Sequence, residues 1–184
     1  MGQEYKLIKS KQDPSIKDKE EVYLIDADEK TIRSIIASIK DKQIKDKQIA
    51  VFGRDNNFNR RVLETCKINM LISPERDLDH ERKDTLKQRD SGLNHVVAKI
   101  ATKHKIIIVI DFAEIKQMQK NAKSIQEKKQ LSKRLARIIQ NIKICRKAKC
   151  KIIIIDFSGK STKQELQSFG FSLNMSSQQA SESC

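Results

Sequence analysis

Nine consecutive residues concentrate groups that could hold an anion: Lys87-Gln88-Arg89-Asp90-Ser91-Gly92-Leu93-Asn94-His95. Two cations lead, Asp90 or Ser91 can cap a helix, and Gly92 lets another backbone approach closely. Val96, Val97, Ile100 and Ala101 follow at helical spacing. The block therefore reads as a basic loop feeding a helix N-terminus, where free backbone N–H groups and the helix dipole favour an anion. With a formal net charge of +14, the first anion to consider is an RNA phosphate. Lys87, Arg89, Asn94, His95 and Lys99 are the leading candidates for RNA contact. For His95 alone, a packed helix residue donating one hydrogen bond is an equally good reading.

Other basic residues form a second set. Arg54, Arg60 and Arg61 flank Asn56, Asn57 and Asn59 after an apolar run, a composition suited to phosphate and 2′-OH contacts. Arg137 and Lys143 lie in a long helical pattern, largely off its apolar stripe, where a solvated face or a protein–protein face is the alternative. Lys and Ile are abundant throughout, so part of the charge excess reflects general composition. Aromatics make up only 4% and Trp is absent. A base-stacking platform is thus poorly supplied, and recognition of a folded RNA by shape and phosphate fits better.

Three carboxylates, Asp26, Asp111 and Asp156, end apolar runs. At the C-terminal ends of parallel strands such groups can hold Mg²⁺ or run a two-carboxylate hydrolysis. The plainer reading, preferred here, is that each caps the next helix or turn. Nucleophile-elbow, phosphate-loop and H-E-x-x-H motifs are absent, and Gly159-Lys160-Ser161 lacks the earlier glycine that a phosphate loop needs. Cys66, Cys145, Cys150 and Cys184 form no C-x-x-C pair and no zinc pattern with His80, His95 and His104; small reduced thiols are expected.

The elements that must position these groups alternate. Continuous β-branched runs predict strands over Val22–Asp26, Gln48–Gly53, Ile68–Ser73, Ile106–Phe112 and Lys151–Phe157, buried on both faces of a parallel sheet. Helices are expected over Glu29–Lys40, Phe58–Lys67, Ser91–His104, Glu127–Lys149 and Lys163–Ser168. In the longest, Leu131, Leu135, Ile138, Ile139, Ile142 and Cys145 make the apolar stripe, with Arg134 and Arg137 among the cations off it. The alternation predicts an α/β fold, either an open doubly wound sheet or a reduced barrel. Residues 1–19 read as a loose leader, 20–173 as one domain, and the serine-rich 174–184 as a disordered tail. No segment reaches the roughly 20 apolar residues of a membrane span, and a soluble, cytoplasmic protein is expected.

The segments Leu71-Ile72-Ser73-Pro74-Glu75 and Asp84-Thr85-Leu86-Lys87-Gln88-Arg89-Asp90-Ser91-Gly92-Leu93-Asn94-His95, with the helix end Ile138-Ile139-Gln140-Asn141-Ile142-Lys143-Ile144-Cys145-Arg146-Lys147, resemble ribonuclease P protein component 3. The likeness runs from about Leu71 to Lys149. It implies a reduced or distorted TIM-like barrel, similar in topology to the polymerase-and-histidinol-phosphatase superfamily. Metal hydrolases of that superfamily carry histidine-rich motifs, and no His-x-His occurs here. The resemblance further implies a subunit of the ribonucleoprotein that removes the 5′ leader from precursor tRNA. Catalysis with Mg²⁺ would then belong to the RNA subunit, with no cofactor on the protein. Its implied partners are ribonuclease P RNA, the component 2 protein and, indirectly, precursor tRNA. A metal-dependent phosphoesterase using Asp26, Asp111 and Asp156, and a general structured-RNA module, are the alternatives.

Overall fold

The structure, a computed structural model, describes residues 5–8, 22–41, 48–76, 84–85 and 88–183. In chain order the elements are β1 (Tyr5–Ile8), β2 (Val22–Ile25), α1 (Glu29–Asp41), β3 (Gln48–Phe52), α2 (Asn56–Thr65), β4 (Met70–Ile72) and α3 (His95–Lys103). They continue as β5 (Ile107–Asp111), α4 (Phe112–Asn121), α5 (Ile125–Ala148), β6 (Ile152–Ile155), α6 (Lys163–Ser172) and α7 (Ser177–Ser181). Six strands form one sheet in the order β1-β2-β3-β4-β5-β6, each parallel to its neighbour.

That sequential order decides between the two expected architectures. A doubly wound sheet reverses its strand order to place helices on both faces, and no reversal occurs here. Right-handed crossovers between successive neighbours put every helix on one side, as in the wall of a barrel. The side chains agree. Tyr23, Ile25, Val51, Leu71, Ile108, Ile110, Ile152 and Ile154 pack with residues of α1 to α7 in one core. The alternate positions Val22, Leu24, Ala50, Met70, Ile72, Val109, Ile153 and Ile155 form a second cluster containing no helix residue. Both clusters are buried, so the strands are covered on both faces as their continuous apolar sequences predict. Among the described residues β1 and β6 do not pair, and the sheet is a reduced, unclosed barrel.

Helix boundaries follow from caps. Ser124 accepts from Glu127 N–H while the Glu127 carboxylate accepts from Ser124 N–H, a capping box that starts α5. At its other end Lys149 adopts a left-handed conformation, φ 55°. Cys150 N–H donates to Cys145 O at 2.9 Å and Lys149 N–H to Arg146 O at 3.3 Å. This Schellman arrangement sets Cys145 against Cys150. The thiols of Cys66, Cys145 and Cys150 are free and buried. The hydrogen bond with Cys150, then burial, pushes the Cys145 thiol well above its ordinary value.

Several expectations are corrected. The segment read as a loose leader contributes β1, paired to β2 from Tyr5↔Val22 to Ile8↔Ile25. The segment read as a disordered tail carries α7, begun by a Ser176–Gln179 capping box. Ala180 and Ser183 are buried, and Ser183 Oγ accepts from Ile154 N–H at 3.1 Å. α4 is an addition: Asp111, expected to lie within a strand reaching Phe112, caps this helix by accepting from Glu114 N–H at 3.2 Å. The helix expected from Ser91 begins at His95 instead.

Candidate nucleic-acid interface

The loop before α3 is held from three sides. Gln140 of α5 lies alongside Arg89: its Oε1 accepts from Arg89 N–H and its Nε2 donates to Arg89 O, each at 2.9 Å. Asn141 donates to Ser91 O at 3.2 Å. From α2, the Asn59 amide donates to Gly92 O at 2.8 Å and to Arg54 O at 2.9 Å, and accepts from Arg54 N–H at 2.7 Å. Gly92 sits at φ +67°, and a Cβ there would lie 1.8 Å from Pro74 O. Glycine is required on both counts. Ser91, Gly92 and Leu93 are consequently buried, and the centre of the motif is a joint between α2, the β4 end and α5. Asn59, grouped in the sequence with the arginines suited to phosphate contacts, is fully buried for the same reason.

Each candidate residue can now be placed. Lys87 lies outside the described residues. Arg89 is exposed, with Asp84 as a loose ionic partner at 3.7 Å. Asn94, rather than Asp90 or Ser91, is the N-cap of α3, accepting from Val97 N–H at 3.0 Å. His95 and Lys99 are exposed on the outer face of α3, in line with Lys103 at i, i+4, i+8 spacing. Lys143 is exposed on α5, one turn beyond the Gln140 that grips Arg89.

The arginines of the second set are engaged by carboxylates. Arg60 pairs with Glu64 at 2.9 Å and Arg61 with Glu29 at 2.7 Å. Arg54 reaches Asp26 at 3.5 Å and lies over the Phe58 ring. Arg137, expected off the α5 stripe, is 3% exposed and meets Asp84 at 3.2 Å. Burial raises the Asp84 pKa, but the hydrogen bond from Arg137, the Asp90 N–H and the charges of Arg137 and Arg89 outweigh it. The carboxyl stays below its ordinary range.

Sequence reasoning missed a charge network at the C-terminal edge of the sheet. Arg76 meets Asp26 at 3.1 Å and Glu114 at 3.4 Å. Glu114 meets Arg134 at 2.7 Å, and Arg134 meets Glu75 at 3.5 Å. Arg134 also donates to Ser73 Oγ and to the Met118 sulfur. Arg134 is 3% exposed and Glu75 1%, so these charges persist only by being paired. The missed signal was spacing: Arg134, Ile138, Asn141 and Cys145 share one helix face, which places two polar side chains on the core stripe.

The three strand-end carboxylates have separate occupations. Asp26 binds arginines and Asp111 caps α4. Asp156 accepts from Ser158 N–H at 2.8 Å and Ser158 Oγ at 2.6 Å. Burial pushes Asp111 up to about 6, with the neighbouring Glu114 charge adding to the rise and the Glu114 N–H and Arg134 opposing it. Among the described residues no three His, Cys, Asp or Glu side chains are placed to hold a metal ion. No described helix is long and apolar enough to cross a membrane.

Comparison with known proteins gives fold likenesses at low identity. A chain in a cryo-EM structure of archaeal ribonuclease P with mature tRNA matches with a TM-score of 0.60 and 17% identity, over 94% of this chain and 74% of that one. An amidohydrolase matches at TM-score 0.51 and 10% identity, over 83% of this chain but only 42% of its own length. An uncharacterized protein also scores 0.51 at 10% identity, with this chain spanning 33% of its length. No protein-family model and no curated protein matches.

Proposed function

We propose that this chain is a protein subunit of ribonuclease P, of the component 3 type, which binds and helps fold the catalytic RNA. The observation that carries this reading is the likeness, over 94% of the chain, to a chain of the archaeal ribonuclease P structure. The segment Asp84–His95 supports it from the sequence side. Its buried centre and exposed flanks suit a joint that presents cations from a rigid base.

The RNA contacts in this reading are Arg89, His95, Lys99 and Lys143, which the fold leaves exposed, with Lys87 in the same stretch. Asn94 serves by starting α3. Arg54, Arg60, Arg61 and Arg137 contribute less, since carboxylates already occupy them. Neutralised phosphates at an RNA junction let strands of like charge approach, and the counterions released make the binding salt-dependent. Precursor-tRNA cleavage and its Mg²⁺ belong to the RNA subunit, component 2 is the protein partner, and the site of action is cytoplasmic.

The test is reconstitution of precursor-tRNA cleavage with the source organism's ribonuclease P RNA and remaining proteins, with and without this chain. Addition should lower the Mg²⁺ requirement or raise turnover. If the other subunits are active and addition changes neither, the proposal is wrong.

A further inference from the structure

The nine N-terminal residues of α5 do no packing work that accounts for them. The helix is 24 residues long, about 36 Å at 1.5 Å per residue, whereas the strands it covers span about 17 Å. From Ile125 to Lys133 every residue is exposed except Leu131, which is half-buried; side-chain burial of the helix begins at Arg134. The second half of α4, from Gln117 to Asn121, is likewise mostly exposed. Since α5 leads into β6 and runs opposite to the parallel strands, the α4–α5 turn is a helical hairpin standing beyond the C-terminal edge of the sheet.

Its charge is one-sided. Lys120, Lys123, Lys128, Lys129 and Lys133 are exposed, and Glu127 is the one carboxylate between Gln117 and Lys133. Glu127 is consumed by the capping box, bonding Lys123 N–H, Ser124 N–H and Ser124 Oγ. None of the five lysines forms an ion pair within the described residues. Lys129 and Lys133 stand at i, i+4, a like-charge placement that costs helix stability, and cations at this end also oppose the helix dipole. Gln119, Gln126 and Gln130, all exposed, supply neutral hydrogen-bonding groups between the cations.

We infer that the α4–α5 hairpin is an RNA-docking arm whose lysines track the phosphates of a folded RNA strand. This rests on the ribonuclease P reading and gives it a second contact surface, on the part of α5 that precedes the Gln140 contacts to the Arg89–His95 loop. Charge complementarity selects the partner: a rod of cations without ion pairs among the described residues, with one exposed large apolar side chain, Ile125, fits a polyanion better than an apolar protein groove. The capping box takes the Lys123, Ser124 and Glu127 N–H groups, and the exposed lysine side chains are the groups left to hold the phosphates. Lysine, a point charge without a fork, suits shape and backbone recognition in preference to base readout.

The experiment is titration of full-length protein with the source organism's ribonuclease P RNA transcript, and with an unrelated folded RNA of equal length, across a KCl series. Wild type is compared with the variant carrying Lys123→Gln, Lys128→Gln, Lys129→Gln and Lys133→Gln, and with the matching Lys→Arg variant. Loss of about four phosphate contacts should flatten the log–log salt slope by about 3 and weaken binding at least tenfold at low salt. The arginine variant should bind like wild type. If the glutamine variant keeps affinity and slope, the arm is not an RNA surface, and this holds equally if it then fails to join the assembled holoenzyme, which would mark a protein face. Absence of any RNA binding by wild type would overturn the inference together with the reading it rests on. Unchanged cleavage in the reconstitution, with RNA binding intact, would overturn that reading alone.

Discussion

At the C-terminal edge of the sheet, Arg76, Arg134 and Arg137 each meet a carboxylate. Five and six residues before Arg134 on the same helix, Lys129 and Lys128 meet none among the described residues. The two regions are contiguous and share the chain's basic composition, but solvent separates their chemistry. Where a guanidinium is buried it must be paired, and its charge is then invisible to a distant partner. Where an ammonium stands in water it needs no partner, so the excess charge accumulates on the hairpin and on the outer face of α3. Net charge thus says that a polyanion is welcome; burial says where.

The largest effect should come from breaking the buried side. Arg134→Met leaves Glu75 buried and removes the strongest ion pair of Glu114. The expected loss is about 3–5 kcal/mol of folding stability, the usual consequence of removing one partner of a buried ionic network. Urea unfolding followed by far-UV circular dichroism measures it. A midpoint unchanged from wild type would mean that the network is no more structural than the hairpin, and the contrast between the regions would collapse.

The next test uses pH. With Asp111 pushed up to about 6, the folded state binds its proton more tightly than the unfolded chain. The contribution is therefore fully present below pH 4 and is lost as pH rises through 6. Asp111→Asn keeps an N-cap for α4 and abolishes that titration. Relative to wild type, the variant should gain about 2–3 kcal/mol between pH 4 and pH 7. A constant difference across that range would show that Asp111 ionises normally and that the strand-end network tolerates another negative charge. If the substitution instead abolished a purified activity without unfolding the chain, the capping role would be insufficient and catalysis by Asp111 would return.

Most of the fold was legible. Runs such as Ile152–Ile155 have no polar interruption, and α/β alternation left two architectures, of which strand order picked one. The missed pieces share a cause: their signals were short or carried by polar residues. α4 buries only Phe112 and Ile115, too few to show a stripe. The Ser176–Gln179 capping box stood in the sequence, but serine-rich composition hid it. β1 joins through backbone pairing over four residues. In the candidate site, the loop-to-helix shape of the Arg89–His95 block was readable, as was the need for Gly92. Its burial against Pro74 was not, because that depends on a residue eighteen positions earlier. Arg134 and Arg137 differ from the surface lysines of α5 in helical phase rather than in charge, and that phase puts them on the buried face.

The smallest expected effect is on the stability of the hairpin, and it separates the regions most directly. Replacing Lys123, Lys128, Lys129 and Lys133 by glutamine alters only exposed side chains and removes no ion pair among the described residues. It relieves the Lys129–Lys133 repulsion and the unfavourable alignment of cations with the positive end of the helix dipole. The net change should lie within about 0.5 kcal/mol of wild type and favour the variant, as for surface sites away from caps and cores. Relief should shrink as salt is raised, since these charges are fully in solvent. Urea midpoints at low and high KCl measure both points. A loss of more than 1 kcal/mol would show that the lysines hold the hairpin together, and their placement would then need no RNA to explain it. A small gain, vanishing with salt, is the behaviour of charges kept at a cost to the helix for the sake of something outside the fold.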